Sequence, residues 1–283
     1  MSISNRCTKA VIAVAGFGTR RLPITKALEK CLIPIGNRPI VDYIVEDCLK
    51  AGITEIIFIV GEQSEQIRAY YGQNEPLETY LLQNNKGDAL EQVTDLAHKA
   101  TFRFVVQDRN QPYGTSVPIW LAREYLGPDE PFLFLYGDNV FYNQDGSSAI
   151  ADFVEKATAA NTSGAMMAVE VPHELVSHYG IVATEKRGDI EMYQRIVEKP
   201  KPEDAPSNLN NAGCFLFRQD IMPFVEHTME HSPQQERYFI DAVNWYVEAG
   251  NDVAVIRTKG EYLDCGSVQG WLFANNRIVG ENS

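Results

Sequence analysis

Residues 9–15, KAVIAVA, are apolar without interruption after the first, as a strand buried on both faces of a sheet must be. A helical pattern follows in RPIVDYIVEDCLKAG, where Ile40, Ile44, Val45, Cys48 and Leu49 recur on one face and Gly52 supplies a C-terminal stop. The next apolar run, ITEIIFIV, is a second buried strand, and SEQIRAYYG a second helix. Strand FRFVVQ, helix SVPIWLAREYLG and strand PFLFLYGD repeat the alternation, with Pro118 tolerated in the first helical turn. Strands alternating with helices require right-handed crossovers and a mostly parallel sheet. Ligands of such sheets collect beyond the carboxyl ends of the strands. The stretches GFGTRR, QDRNQPYG and GDN, which follow three of these strands, are therefore expected to share one crevice.

After Asn161 the pattern loosens into short strands (SGAMMAVEV, the GIVATEKRGDIEMYQRIVEKPKP stretch, NNAGCFLF), expected to extend the sheet in antiparallel or mixed fashion. Helices return at DIMPFVEHTM and RYFIDAVNWYVEAG. The strand DVAVIRT, the loop KGEYLDCGS and a last helix from Val268 complete the chain. A formal net charge of −13 argues against a broad nucleic-acid or anionic-membrane surface, both of which need a positive face. The five cysteines (Cys7, Cys31, Cys48, Cys214, Cys265) are scattered with no CxxC spacing, as expected of reduced thiols in a cytoplasmic protein. The N-terminus MSISNRCTKA has no apolar leader, and no apolar run approaches the length of a membrane span.

Between Gly16 and Lys30 this acidic chain gathers Arg20, Arg21, Lys26 and Lys30 against Glu29 alone. The glycines lack the third member of a dinucleotide fingerprint, Arg21 standing in its place, and no Walker lysine follows. What remains is a strand-to-loop turn whose bare backbone at Gly16 and Gly18 can approach a phosphate, with Arg20 as a planar cationic fork. Glycines alone would equally suit an ordinary tight turn; the local charge excess is what favours an anion. Asp138 and Asp264 each stand after a strand pattern, where a carboxylate serves either as a turn residue or as an oxygen ligand for Mg²⁺. Glu198 and Lys199 end another strand, and Pro200 makes a turn there plausible. The five histidines have no metal-ligand spacing and read as surface groups, Cys31 as packing, Trp245 and Trp271 as core.

In order, these stretches resemble the sugar-nucleotide pyrophosphorylases, and within them the bacterial UTP–glucose-1-phosphate uridylyltransferases. The family signature AGxGTRxLPxTKxxPKxxLP reads here AGFGTRRLPITKALEKCLIP, and the likeness continues through GITEIIFIVG, GDN, SHYGIV, VEKPKPEDAPSNLNNAGCFLF and LDCGSVQG. YGDNVFY is more like the thymidylyltransferase relatives. The resemblance implies an α/β, Rossmann-like fold: a mostly parallel mixed sheet with flanking helices and a smaller β-rich sugar-binding region. It further implies a single domain over 1–283, with about 9–160 binding nucleotide, about 161–266 binding sugar, and 267–283 forming a C-terminal helix.

Carried over position by position, it assigns Lys30, Arg20 and Asp138 to catalysis. Ala15, Gly16, Gly18, Gln107 and Gly114 fall to the nucleotide, Gly180, Glu198 and Lys199 to the sugar phosphate, and Asp138 with Asp264 to Mg²⁺. The implied partners are UTP and glucose 1-phosphate, with neither nucleic acid nor membrane, in a cytoplasmic homo-oligomer (dimer or tetramer). The implied reaction is in-line attack of the sugar phosphate on the α-phosphorus, releasing pyrophosphate. A thymidylyltransferase using dTTP and a non-catalytic nucleotide-sugar-binding protein are the alternatives. Where the signature has Pro-Lys-Glu this chain has Glu29-Lys30-Cys31. Glu29 softens the field on the phosphates only if its side chain faces them.

Overall fold

A computed structural model describes residues 6–110, 112–231 and 236–280. Outside them lie the first five residues of the N-terminus read as leaderless, Gln111 of the QDRNQPYG loop, and the last three residues of segment 267–283. The first half of the chain runs β1 (Lys9–Ala13), β2 (Pro34–Ile35), β3 (Arg38–Pro39), α1 (Ile40–Lys50), β4 (Glu55–Gly61), α2 (Gln66–Tyr71), α3 (Glu75–Gln83), α4 (Gly87–His98), β5 (Thr101–Gln107), α5 (Ser116–Ala122), β6 (Phe132–Tyr136), β7 (Asn139–Tyr142) and α6 (Ala149–Ala160). The second half adds β8 (Gly164–Glu170), β9 (Gly180–Arg187), β10 (Ile190–Glu198), β11 (Leu209–Phe217), α7 (Met222–His231), α8 (Phe239–Glu248), β12 (Val253–Arg257), β13 (Glu261–Asp264) and α9 (Val268–Val279).

Nine strands form one sheet in the order β5-β4-β1-β6-β11-β8-β12-β10-β9. Strands β5, β4, β1 and β6 are parallel. Strand β11 lies antiparallel to β6 and β8, and β10 antiparallel to β12 and β9, so the second half is the expected mixed extension. The uninterrupted apolar run of β1 has a direct cause. Ile12 packs with Phe58 and Leu135 on the face covered by α1 and α6, while Val11 packs with Ile57 and Phe134 on the face covered by α5, α7 and α8. Each fully buried side chain of this kind contributes about 1.5–3 kcal/mol relative to exposure.

Strand order reverses at β1: the chain moves outward to β4 and β5, then returns to place β6 on the other flank. That switch opens a crevice beyond the carboxyl ends of β1 and β6. Helix α5 stops at Ala122 and gives way to a 3₁₀ turn over Arg123–Tyr125, shorter than its sequence pattern suggested. Helices α3, α4 and α6 are additions to the sequence reading. Trp245 and Trp271 are half-buried and not core, and all five histidines are exposed. The five thiols are buried, and burial pushes Cys7 and Cys265 up to about 12. Among the described residues no helix is long and apolar enough to cross a membrane.

Candidate active site

The Gly16–Lys30 loop leaves β1 at the switch point. Gly18 adopts φ +63°, and a Cβ there would lie 2.9 Å from Thr25 Cγ2 and 3.0 Å from Lys30 Cβ. Only glycine lets the loop close this tightly on its own continuation. The Thr25 hydroxyl donates to the Gly18 carbonyl at 2.9 Å and locks that fold-back. Lys30 is thereby returned beneath the loop, where its Nζ pairs with Asp138 Oδ2, both side chains about one-fifth exposed.

Asp138 stands between β6 and β7, immediately after Gly137. A Cβ on Gly137 would meet Val14 Cγ1 at 2.4 Å, so the two switch-point loops are in direct contact. Asp264 closes β13, which pairs with β7 in the register Asp264↔Asn139. That ribbon puts the second carboxylate one residue from the first. The backbone of Gly266 marks where the groups meet: a Cβ there would lie 2.8 Å from Asp264 Oδ1, 3.1 Å from Asp138 Oδ2 and 3.2 Å from Arg20 Nη2. Asp138, Asp264, Arg20 and Lys30 are thus brought together, as the sequence led one to expect. Asp264 also serves as a turn residue, its Oδ1 accepting the Gly266 N–H at 2.8 Å.

The residues expected on the nucleotide side lie along the same edge. Gln107 ends β5 in register with Gly61, the last residue of β4, and a Cβ on Gly61 would lie 3.7 Å from the Ala15 carbonyl. Gly16 is exposed, and a Cβ on it would stand in open space. The Arg109 guanidinium, in the loop after β5, sits over the exposed Phe17 ring at 5.4 Å, joining the two loops across the crevice mouth. Gly114, at φ +128°, has the Arg237 backbone 2.4 Å from where a Cβ would be, so glycine is required there by packing.

Gly180 and Glu198 face one another across β9 and β10, a Gly180 Cβ lying 2.9 Å from Glu198 Oε1. Lys199 has φ +45°, so the strand turns at this point and the two side chains escape strict alternation. Its N–H donates to the Tyr179 carbonyl at 2.9 Å. Tyr136, Tyr179 and Tyr262 have phenol pKa values raised first by burial and then by nearby carboxylates: Glu198 and Asp138 for Tyr136, Asp264 for Tyr179, Asp264 and Asp138 for Tyr262. These neutral phenols wall the region between the sugar-side residues and the aspartates. Tyr136 is the last residue of β6, Tyr179 directly precedes β9 and Tyr262 lies within β13, so no common sequence signal marked them.

Two expectations about charge change. Arg21 is 2% exposed and points into the protein, leaving Arg20 and Lys30 as the loop's cations at the aspartates. Glu29 faces α2: its Oε1 accepts the Gln66 N–H at 2.8 Å, and its own N–H donates to Gln66 Oε1 at 2.9 Å. Its carboxylate is committed to the start of a helix and does not bear on the crevice.

The donor set suits a hard divalent cation. Among the described residues, Asp138 Oδ1 and Asp264 Oδ2 carry no hydrogen bond, and no cluster of three or more metal-ligating side chains exists. Two carboxylates completed by substrate phosphates is how Mg²⁺ is ordinarily held.

Residues 9–280 match the nucleotidyl transferase family. The chain belongs to this family. A UTP–glucose-1-phosphate uridylyltransferase from Pseudomonas aeruginosa is 33% identical over 270 residues, covering 95% of this chain and 94% of that protein. A UTP-bound UGPase from Acinetobacter baumannii superposes with a TM-score of 0.88 at 31% identity, covering 97% of this chain and 94% of that one. A UDP-glucose pyrophosphorylase complexed with UDP-glucose superposes at 0.83 with 28% identity, covering 97% and 99%. Family membership accounts for the mixed sheet and for the loop at its switch point.

Proposed function

We propose that this nucleotidyltransferase is a UTP–glucose-1-phosphate uridylyltransferase, with Mg²⁺ held by Asp138 and Asp264. The observation that carries the reading is the convergence of Asp138, Asp264 and Arg20 on one face of Gly266, with Lys30 paired to Asp138 at the mouth of the glycine loop. Its relatives' names supply the substrates.

A phosphate oxygen of glucose 1-phosphate attacks the α-phosphorus of UTP in line. The new P–O bond forms as the bond to the β-phosphate oxygen breaks, and pyrophosphate leaves with the electron pair. No general base is required, because the attacking phosphate is already ionised. The obstacle is repulsion: each pair of like unit charges at 4 Å costs about 4 kcal/mol at an effective dielectric near 20. Mg²⁺ bound by the aspartates supplies electrostatic neutralisation of the phosphates. Arg20 forks onto phosphate oxygens, Lys30 neutralises charge at the reacting phosphorus, and backbone N–H groups at Ala15, Gly16 and Gly18 hold the remainder. Gln107 offers one donor and one acceptor to the pyrimidine edge, and Gly114, packed against the Arg237 backbone, faces the base with its main chain. Gly180, Glu198 and Lys199 take the sugar and its phosphate.

In this reading the chain is one domain, with about 9–160 for nucleotide, about 161–266 for sugar and α9 (Val268–Val279) as the C-terminal helix. It works in the cytoplasm as a dimer or tetramer. The test is pyrophosphate release with Mg²⁺ and glucose 1-phosphate, comparing UTP, dTTP, CTP and ATP. A UTP preference abolished by Lys30→Ala supports the assignment. A dTTP preference moves it to the thymidylyl branch, and binding without turnover makes it a sensor.

A further inference from the structure

We infer that Arg21 is a positioning residue that ties the triphosphate loop to the loop bearing Asp264, and so sets the metal site's geometry against Arg20. The inference rests on the proposed function and concerns a position that the family signature leaves open. Arg20 and Arg21 share a 3₁₀ turn, Thr19–Arg21, where consecutive side chains diverge by about 120°. One is exposed at the aspartates; the other is buried.

Arg21 Nη1 donates to the Cys265 carbonyl at 2.8 Å and to the Ser267 carbonyl at 3.0 Å. Those carbonyls flank Gly266, whose α-carbon faces Asp264, Asp138 and Arg20. The Cys265 N–H in turn donates to the Asp138 carbonyl at 3.0 Å. One guanidinium therefore clamps both ends of the segment on which the two carboxylates meet. It lies 5.2 Å over the ring of Trp271, in the first turn of α9, which limits its own freedom. Trp271 is itself fixed, its indole N–H donating to the Pro34 carbonyl at 2.7 Å.

Stability alone explains this arrangement poorly. Burial lowers the Arg21 pKa, and its buried Nε has no hydrogen-bond partner among the described residues. A buried cation with an unmet donor is an inefficient way to join two loops, and a methionine would fill the space without it. Rules of this kind are broken at functional sites. The neighbour of the phosphate-binding arginine is thus bonded to the backbone beside a metal-binding aspartate. Displacement of either loop is passed to the other.

Supporting groups that orient metal ligands typically contribute about 10–100-fold in affinity or activity. Arg21→Met is therefore expected to lower kcat about 10-fold or more and to raise half-saturating Mg²⁺ by a similar factor, with KM for UTP within about threefold. Arg21→Lys, which keeps the charge and one bond, should recover part of both losses. Mg²⁺ affinity of the enzyme–UTP complex, read by calorimetry without sugar phosphate, should weaken in parallel and independently of turnover. Trp271→Leu removes the stacking surface, together with the indole bond to Pro34, while leaving both Arg21 bonds possible; it should give a smaller change of the same kind, keeping the test available if Arg21→Met fails to fold. A folded Arg21→Met enzyme with wild-type kcat and Mg²⁺ affinity but a lower Tm would make Arg21 merely structural and overturn the inference. Absence of transfer in the wild-type chain would instead fail the proposed function.

Discussion

Gly266→Ala adds one methyl group where the site's charges meet. Its carbon would stand 2.8 Å from Asp264 Oδ1, 3.1 Å from Asp138 Oδ2 and 3.2 Å from Arg20 Nη2, short of an ordinary 3.4 Å contact by about 0.6, 0.3 and 0.2 Å. All three obstacles are ends of side chains, so they can retreat. The stability change is expected below about 1 kcal/mol, or about 3 °C in Tm. Catalysis should be much less tolerant, because a displacement near 1 Å at a reacting centre can cost about a hundredfold. With two carboxylates and the guanidinium displaced together, kcat/KM should fall about 10- to 100-fold, or about 1.4–2.7 kcal/mol of transition-state stabilisation. Pyrophosphate release with UTP, glucose 1-phosphate and Mg²⁺ measures this, alongside thermal melting. Gly87→Ala, with no atom within 4 Å, is the neutral control. A Gly266→Ala enzyme within twofold of wild type would show that this face does not front the reacting phosphates.

Lys30→Ala removes a charge estimated at about 4 kcal/mol per phosphate contact, so kcat/KM should fall two to three orders of magnitude, roughly, with Tm little changed; a tenfold loss or less would remove Lys30 from the reacting centre. Glu29→Ala should lower stability by about 1 kcal/mol through its lost bonds to α2 and leave kcat/KM intact, whereas a change in kcat/KM would mean its carboxylate reaches the phosphates after all. Asp47, in α1, has its pKa raised from 3.8 to about 6 by burial. A carboxyl raised in the native state contributes stability that is complete below pH 3.8 and lost as pH rises through 6, amounting to about 3 kcal/mol at most. Urea melts at pH 5 and pH 8 should show this slope in wild type and a flatter one in Asp47→Asn; equal slopes would refute it.

The strands and the crevice were legible because burial on two faces leaves an unbroken apolar run, and strand order places loops at a common edge. Helices α3 and α4 carry apolar stripes, at Leu77, Tyr80 and Leu81 and at Leu90, Val93 and Ala97, yet Leu81 is their only buried side chain, so these helices lie mostly outside the core. Helix α6 carries such a stripe too, at Ile150, Phe153 and Ala157, and buries it. The aspartates could be suspected from strand ends, but their meeting depends on the β7–β13 register, which pairs residues about 125 apart along the chain. Adjacent arginines look equivalent in a string of letters. The handedness and pitch of a single 3₁₀ turn send one to the two aspartates and the other into the protein. Glu29 likewise reads as a charge beside Lys30 until the partner helix appears.

Strands β6 and β11 pair through Leu135↔Cys214, Phe134↔Phe215, Leu133↔Leu216 and Phe132↔Phe217, all fully buried. This seam joins the strand that leads to Asp138 with the half of the sheet that carries Gly180 and Glu198, which the proposed function assigns to the sugar phosphate. A slip of one residue there would exchange small and large side chains between the two packed faces, and under the proposed function the spacing between the two substrates inherits that register. Approach of the reactants is left to the loops at the strand ends. In hydrogen exchange, amides at the seam should open only with global unfolding, while those of the glycine loop exchange through local opening and slow when nucleotide binds.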